Sequence, residues 1–371
     1  MISNCLVIDS VVHAYNLTPE NQLVQPVSGA LSEMIYAMHL SCQPRGVTRY
    51  VLDRKRYYYA LDPEFLAHAM FAESQTDVVI YHSIPLWGFY ADGISPLWVG
   101  KAMRDLYPGR VLLFGGVSPW QKNALEEVDR LVEEDGIVGI KLYPEDIVDG
   151  QVKPWRADNP EVAFPLYERA QKKGIRTIAL HKAQPLGPVP MEPFTVGDVQ
   201  EAALAFPDLN FEIVHGGYAF LEETAMHVAR FPNVCINLEG SSGLLANAPR
   251  KFAEILGTFM AAGGRDRLIW ATGAMLYHPQ PYLQAFWNFQ MPRDLVEDYG
   301  FPEVTEDDKR AILGLNQARL LGLNIEDLQR RIAADAFSGR KELAEPWSGT
   351  YAPPRAHSSA GKMIHGSPGY R

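Results

Sequence analysis

The chain has 371 residues, 47% of them hydrophobic and 21% charged, enough for one large α/β domain or two ordinary ones. A formal net charge of -10 argues against a nucleic-acid-binding face, which needs concentrated Lys and Arg, and predicts an acidic, soluble surface. Three cysteines cannot build a disulfide framework or a Cys-ligated zinc site; Cys5 and Cys235 read as core residues of a reducing, cytoplasmic compartment, and no signal peptide or membrane span is expected.

The first element is the apolar run Cys5-Leu6-Val7-Ile8, which ends in Asp9 and is followed by His13. Residues 16–70 then interrupt the pattern with the aromatic cluster RYYYALDPEF and two helix-like stretches, SGALSEMIYAMHL and PEFLAHAMFAES. From TDVVIYHS (76–83) onward, short apolar runs alternate with amphipathic segments. GRVLLFGGVSP is the next strand, followed by NALEEVDRLVEEDG (123–136) as a helix ending at Gly136. GIVGIKLYPED, IRTIALHKA, LNFEIVHGG, NVCINLEG and RLIWATGA complete the strands, with a helical pattern after each. TEDDKRAILGLNQARLLGL (305–323) is a further helix with Thr305 at its start.

These are eight strands separated by helices, apolar throughout as in a parallel sheet buried on both faces. The pattern predicts an α/β fold of the (β/α)8 TIM-barrel type over residues 1–334. A doubly wound sheet would want a glycine-rich turn after the first strand, and DSVVHAYN has no glycine. The 16–70 insertion is expected over the barrel mouth, as packing, substrate lid or subunit contact. Residues 335–371 are rich in Pro, Gly and Ser yet retain Trp347 and Tyr351, and are expected to form an arm that packs on a neighbouring subunit.

In such a barrel the C-terminal strand ends converge on one mouth. Those ends carry Asp9 and His13, His82, Lys141 with Glu145 and Asp146, His181 with Lys182, His215, Glu239 and finally His278. A lone histidine after a strand is usually a hydrogen-bonded structural residue, and His39, His68 and His227, on predicted helices, are given no role. Several imidazoles and carboxylates at one barrel end point instead to a metal site with an open position. The ion would acidify water or polarise a carbonyl.

His181, VHGG with His215, NVCINLEG, RLIWATGAMLYHP and DKRAILGLNQARLLGL together resemble the amidohydrolase superfamily, in the branch of metal-dependent decarboxylases and related hydrolases. The likeness runs from the first strand to about residue 323; its strongest marker is Asn316 to Leu323, and GIKLYP supports it. The resemblance implies His181 and His215 as metal ligands, His13 as the surviving half of a His-x-His pair, and Asp9 as a ligand or orienting acid. Two positions depart from the family: Val11 stands where the first His is usual, and Gly273 where an Asp follows strand eight.

Three accounts stay open. Asp9, Glu239 or His278 replaces the lost ligands; or one divalent transition ion (Zn, Fe or Mn) is held by His13, His181 and His215; or the site is vestigial and the chain is a silent structural partner. The HPQP stretch and the long arm also resemble amidohydrolase-related subunits of dinuclear-metal oxygenases such as 2-aminoisobutyric acid hydroxylase. That likeness implies a hetero-oligomer with a related subunit; the alternatives are a homo-oligomer or a stand-alone hydrolase or decarboxylase of a small carboxylated substrate. In these readings Asp9, His13, His181, His215 and Glu239 are metal ligands, His278 an acid/base group, and Lys141 or Lys182 a partner for a substrate carboxylate or a member of an internal salt bridge.

Overall fold

The computed structural model describes residues 2, 5–185, 187–339 and 342–347. Among the described residues there are ten strands: β1 (Ile8–Val12), β2 (Val78–His82), β3 (Val111–Gly116), β4 (Gly139–Leu142), β5 (Glu145–Val148), β6 (Gln151–Pro154), β7 (Thr177–His181), β8 (Asn210–Val214), β9 (Val234–Asn237) and β10 (Leu268–Ile269). Eight form a parallel sheet in the order β1-β2-β3-β4-β7-β8-β9-β10, with helices between successive members. The sheet curls until its ends meet. Ser10 N donates to Trp270 O at 3.0 Å, Gly273 N donates to Val11 O at 3.0 Å, and Val12 bridges Ala274 in parallel. The fold is a TIM barrel.

The strands are apolar because both faces are covered: every residue of β1, β2, β7 and β9 is buried. One face of the sheet lines the interior. Ile8, Ile80, Phe114, Ala179 and Val214 meet there with Leu6 and Ala318. Ala318 belongs to the helix Asn316–Leu321, which plugs the N-terminal end of the barrel. Its Gln317 reaches inside to donate to Glu212 Oε1 at 3.0 Å, and Asn316 donates to the carbonyls of Arg265 and Leu268. Side chains alternate along a strand, so Ile80 shares its face with His82, and Ala179 with His181. The interior therefore passes from an apolar floor to a polar mouth.

Two differences from the sequence expectation have local causes. β10 has two residues in regular pairing with β9; beyond Ile269, Trp270 N turns to Ile312 O and Thr272 N donates to Asp9 Oδ1 at 3.0 Å. The β5–β6 hairpin was not anticipated. Its two-residue turn is Asp149-Gly150, both at positive φ (51° and 74°), the Asp-Gly signature of a tight hairpin.

The 16–70 segment forms α1 (Val27–Ser41), α2 (Arg54–Tyr58) and α3 (Pro63–Phe71). Asp53 caps α2 by accepting from Arg56 N, and Asp62 caps α3 by accepting from Glu64 N and Phe65 N ahead of Pro63. His39 staples α1 to the barrel. Its Nδ1 donates to Leu276 O at 2.8 Å, its Nε2 accepts from Leu52 N at 2.9 Å, and its ring stacks on Tyr57 at 4.4 Å. Burial lowers its pKa to about 4, so it performs this task neutral.

Tyr351 lies outside the described residues. The described part of the arm packs on its own chain. Trp347 stacks on Phe65 of α3 at 5.8 Å, donates from Nε1 to Tyr50 O at 2.7 Å, and donates from its backbone N to Glu73 Oε2 at 2.6 Å. Truncation after Gly339 should therefore lower stability by about 3 kcal/mol, the scale of losing a buried Trp, and Trp347→Ala should reproduce most of that loss in urea melts. A truncated chain with an unchanged midpoint would show that this contact contributes nothing.

Candidate functional site

Four of the predicted residues line one small cavity at the C-terminal mouth: His13 after β1, His181 at the end of β7, His215 after β8 and Glu239 after β9. Its volume is about 30 Å³, room for a water or two. Gln184 and Tyr143 complete the polar side, and Tyr15, Ile35, Met38, Ile84, Ile94 and Leu276 the remainder. Ile35 and Met38 belong to α1, so the insertion contributes directly to the wall of the site.

Hydrogen bonds fix the tautomers. His13 Nδ1 lies 2.9 Å from His82 O, and His181 Nε2 lies 2.8 Å from Gln184 O. A carbonyl only accepts, so both nitrogens carry the proton. The opposite nitrogens, His13 Nε2 and His181 Nδ1, face the cavity. His215 Nε2 sits 3.2 Å from His181 Nδ1. Glu239 spans the gap, with Oε1 3.6 Å from His13 Nε2 and Oε2 3.7 Å from His215 Nε2. Tyr143 stacks on His181 at 4.3 Å and holds its ring plane. His215 adopts φ 65°, a left-handed conformation that costs a non-glycine residue about 1–2 kcal/mol and is found preferentially at functional sites.

The electrostatics follow from burial. Desolvation pushes His215 down to about 4, and His181 well below its ordinary value with further help from His215 and Lys141. Burial alone would raise the Glu239 carboxyl, but its coupling to His215, the hydrogen bond and charge coupling with His13, and the nearby Lys141 outweigh it and hold the group below the usual carboxylate range. Lys141, on β4, is fully buried, and desolvation lowers it to about 8 against the opposing fields of Glu239 and Glu212. Its Nζ makes no hydrogen bond and lies 5.3 Å from the Tyr143 ring.

Other predicted residues lie elsewhere. Asp9 does not line the cavity; it spans the seam between β1 and β10. Its Oδ1 accepts from Thr272 N at 3.0 Å and Val11 N at 3.4 Å, and its Oδ2 accepts from Thr272 Oγ1. Lys182 is paired with Asp198 at 2.7 Å and donates to Pro193 O, which is the internal salt bridge. Glu145 is buried on the β5–β6 hairpin, where desolvation and Asp146 raise it to about 8. Asp146 accepts from Gly88 N at 3.0 Å. His82 stacks on Phe114 at 4.5 Å, below His13. His278 is also absent from the cavity wall: its Nε2 meets Glu73 Oε2 at 3.1 Å, its Nδ1 accepts from Gln280 N as a helix cap, and Tyr50 and Trp347 pack on its ring. Tyr143, Tyr15 and Gln184 were not anticipated. Tyr143 was legible in GIKLYP, since alternation puts residue 143 on the same side as Lys141.

Residues 38–323, well over half of the chain, match the family model described as Amidohydrolase. The chain belongs to the amidohydrolase family. No match was found among curated proteins. An uncharacterised TIM-barrel protein from Bordetella bronchiseptica superposes on this amidohydrolase with a TM-score of 0.59 at 16% identity, covering 85% of this chain and 98% of that one. A manganese-bound 5-carboxyvanillate decarboxylase from Novosphingobium aromaticivorans gives 0.54 at 13% identity, over 87% and 98%. A 2,6-dihydroxybenzoate decarboxylase from Rhizobium gives 0.50 at 17% identity, over 86% and 99%. At these identities the likeness establishes the shared fold.

Among the described residues, no group of three or more His, Cys, Asp or Glu is arranged to hold a metal ion as it lies. Donor atoms about 2.1 Å from a shared ion stand roughly 3.0–3.4 Å apart; His181 and His215 are 3.2 Å apart, within that range, while Glu239 stands 3.6 and 3.7 Å from His13 and His215, slightly too open. The donor chemistry does fit one divalent ion. His13 and His181 each donate their outer N–H to a backbone carbonyl, as metal-bound histidines do, and Glu239 Oε2 is buried without a hydrogen bond. His13 Nε2 lies 3.6 Å from Glu239 Oε1 at the cavity.

Asp9 yields a pH-dependence. Burial raises its carboxyl from 3.8 to about 7, outweighing the hydrogen bonds from Thr272 and Val11. Between those values the folded chain holds a proton that the unfolded chain releases, so this group's contribution to stability falls as pH rises from about 4 to about 7. Asp9→Asn should remove a slope of up to about 1.4 kcal/mol per pH unit, read as a flatter pH dependence in denaturant melts. Parallel slopes for variant and parent would show that Asp9 stays ionised in the fold.

Proposed function

We propose that this amidohydrolase is a metal-dependent decarboxylase or hydrolase that works alone on a small carboxylated substrate, using one divalent transition ion. The observation that carries the reading is the meeting of His13, His181, His215 and Glu239, from four strands, on one cavity at the barrel mouth. Those four residues would hold the ion, which when bound supplies a Lewis acid able to polarise a carbonyl or acidify water.

The chain's own groups prepare that chemistry. The backbone carbonyls of His82 and Gln184 take the N–H of His13 Nδ1 and His181 Nε2, which leaves the other ring nitrogen of each turned toward the cavity. Burial keeps His181 and His215 neutral at physiological pH, the form that donates a lone pair. Of the two buried lysines at the mouth, Lys182 is committed to Asp198, whereas Lys141 makes no hydrogen bond. Lys141 is therefore the cation available to attract a substrate carboxylate, with Glu212 and Glu239 as its counter-charges. Tyr15, Ile35, Ile84, Ile94 and Leu276 supply a hydrophobic wall that excludes water. A cavity of about 30 Å³ is smaller than any such substrate, so Ile35 and Met38 on α1 must give way on entry. The neighbouring decarboxylases favour this reading over the oxygenase-subunit expectation, to which the comparisons lend no support.

The purified chain should retain about one equivalent of zinc, iron or manganese by elemental analysis. It should release CO2 or a hydrolysis product from at least one member of a panel of small aromatic and aliphatic carboxylates. His181→Ala should lose the metal and at least 100-fold in turnover. Turnover that appears only beside a second, related chain would transfer the assignment to a hetero-oligomer. A metal-free, inactive chain would leave a structural partner.

A further inference from the structure

The end of β10 presents a space that its own side chain cannot use. Gly273 lies three residues beyond the barrel seam at Trp270, and its N–H is tied to Val11 O at 3.0 Å. A β-carbon built on Gly273 would stand 2.6 Å from Glu239 Oε1, 3.0 Å from Glu239 Cγ and 3.2 Å from Glu239 Cδ. The 2.6 Å contact is shorter than real β-carbons show and the other two are tight, so a side chain at 273 would require the Glu239 side chain to move. The carboxylate of Glu239, which follows β9, thus fills the volume in front of the neighbouring strand end. A glutamate is long enough to cross one interstrand spacing, about 4.8 Å.

Glu239 is held in that place from several sides. Its backbone N donates to Asn237 Oδ1 at 3.1 Å. Its two oxygens lie at 3.6 Å from His13 and 3.7 Å from His215, and Oε2 makes no hydrogen bond although it is buried. Gly273 itself sits at φ 69°, a left-handed conformation in which a side chain is strained even without the collision.

We propose that the metal-binding carboxylate of this barrel comes from the seventh barrel strand, as Glu239, and that residue 273 is glycine because that carboxylate occupies the space of its side chain. The two positions form one unit: an acid at 239 requires glycine at 273, and an acid at 273 requires a small residue at 239. This inference rests on the metal reading above for the ligand role of Glu239; the steric coupling of the two positions stands apart from it.

The test uses four full-length chains: the parent, Gly273→Ala, Glu239→Gly, and Glu239→Gly combined with Gly273→Asp. Binding of Mn2+ and Zn2+ is measured by calorimetry and elemental analysis, and folding by circular dichroism. Gly273→Ala and Glu239→Gly should each lose at least tenfold in metal affinity, and the combined variant should return to within tenfold of the parent. A folded combined variant without metal, or Gly273→Ala binding as tightly as the parent, overturns the proposal.

The steric half is read without metal. Gly273→Ala is made in the parent and in the Glu239→Gly background, and the melting points of the apo chains are compared. The backbone strain at φ 69° is common to both backgrounds and cancels in the cycle. The Gly273→Ala penalty should be several degrees smaller when Glu239 is absent; equal penalties overturn the coupling. A parent chain that takes up no ion at all overturns the metal reading and the ligand role of Glu239 together, and the apo cycle still decides whether the two positions share one space.

Discussion

A buried carboxyl group sits in the seam that closes the barrel, between the backbone bonds Ser10 N to Trp270 O and Gly273 N to Val11 O. Asp9 bridges the first and last strands by accepting from both the backbone N and the hydroxyl of Thr272, alongside the backbone bonds of the seam. Closure at this seam sets the positions of everything beyond it, because His13 lies four residues past Asp9 and Gly273 follows Thr272 directly. The interaction is costly. Burial opposes the charged form that accepts these bonds most strongly, and the opposition shows in the raised pKa of the group. The barrel retains it because three hydrogen bonds from Thr272 and Val11 converge on two oxygens, and breaking them would leave a buried acid unsatisfied.

The mouth inherits a second electrostatic tension. The cavity of about 30 Å³ is lined by His181 and His215, which burial pushes toward the neutral form, and by Glu239, whose field acts on the buried Lys141 behind the wall. Each group's state depends on its neighbours: His215, His13 and Lys141 together favour the charged form of Glu239, and Glu239 and Glu212 offset the burial that lowers Lys141. Several polar atoms there lack partners, among them Glu239 Oε2, His215 Nδ1, Gln184 Oε1 and Lys141 Nζ. Unsatisfied buried groups concentrated in one place are unusual for packing and ordinary for a site that receives a charged ligand.

The residues that the sequence grouped at the mouth separate into distinct tasks in three dimensions. His278 caps a helix and pairs with Glu73, 205 residues earlier, in a cluster completed by Trp347. Lys182 stabilises the loop through Asp198, and Glu145 sits on a hairpin outside the main sheet. Trp347, expected to reach another subunit, instead covers this chain's own α3. Conversely, the roof of the cavity comes from α1, whose sequence predicted a helix and left its contacts open.

The order and parallel direction of the eight barrel strands were determined by the sequence alone. Runs buried on both faces, alternating with amphipathic helices, admit few other arrangements, and these are local patterns. The Asp149-Gly150 turn was equally local and equally readable. Which rim residues share a cavity was decided only by tertiary structure. That choice depends on the seam register between strands some 260 residues apart, on the direction of each side chain, and on the left-handed turns at His215 and Gly273. The exchange between Glu239 and Gly273 shows why: no spacing along the chain reveals that one strand's carboxylate lies where the next strand's side chain would be, since the two meet only when the sheet has closed.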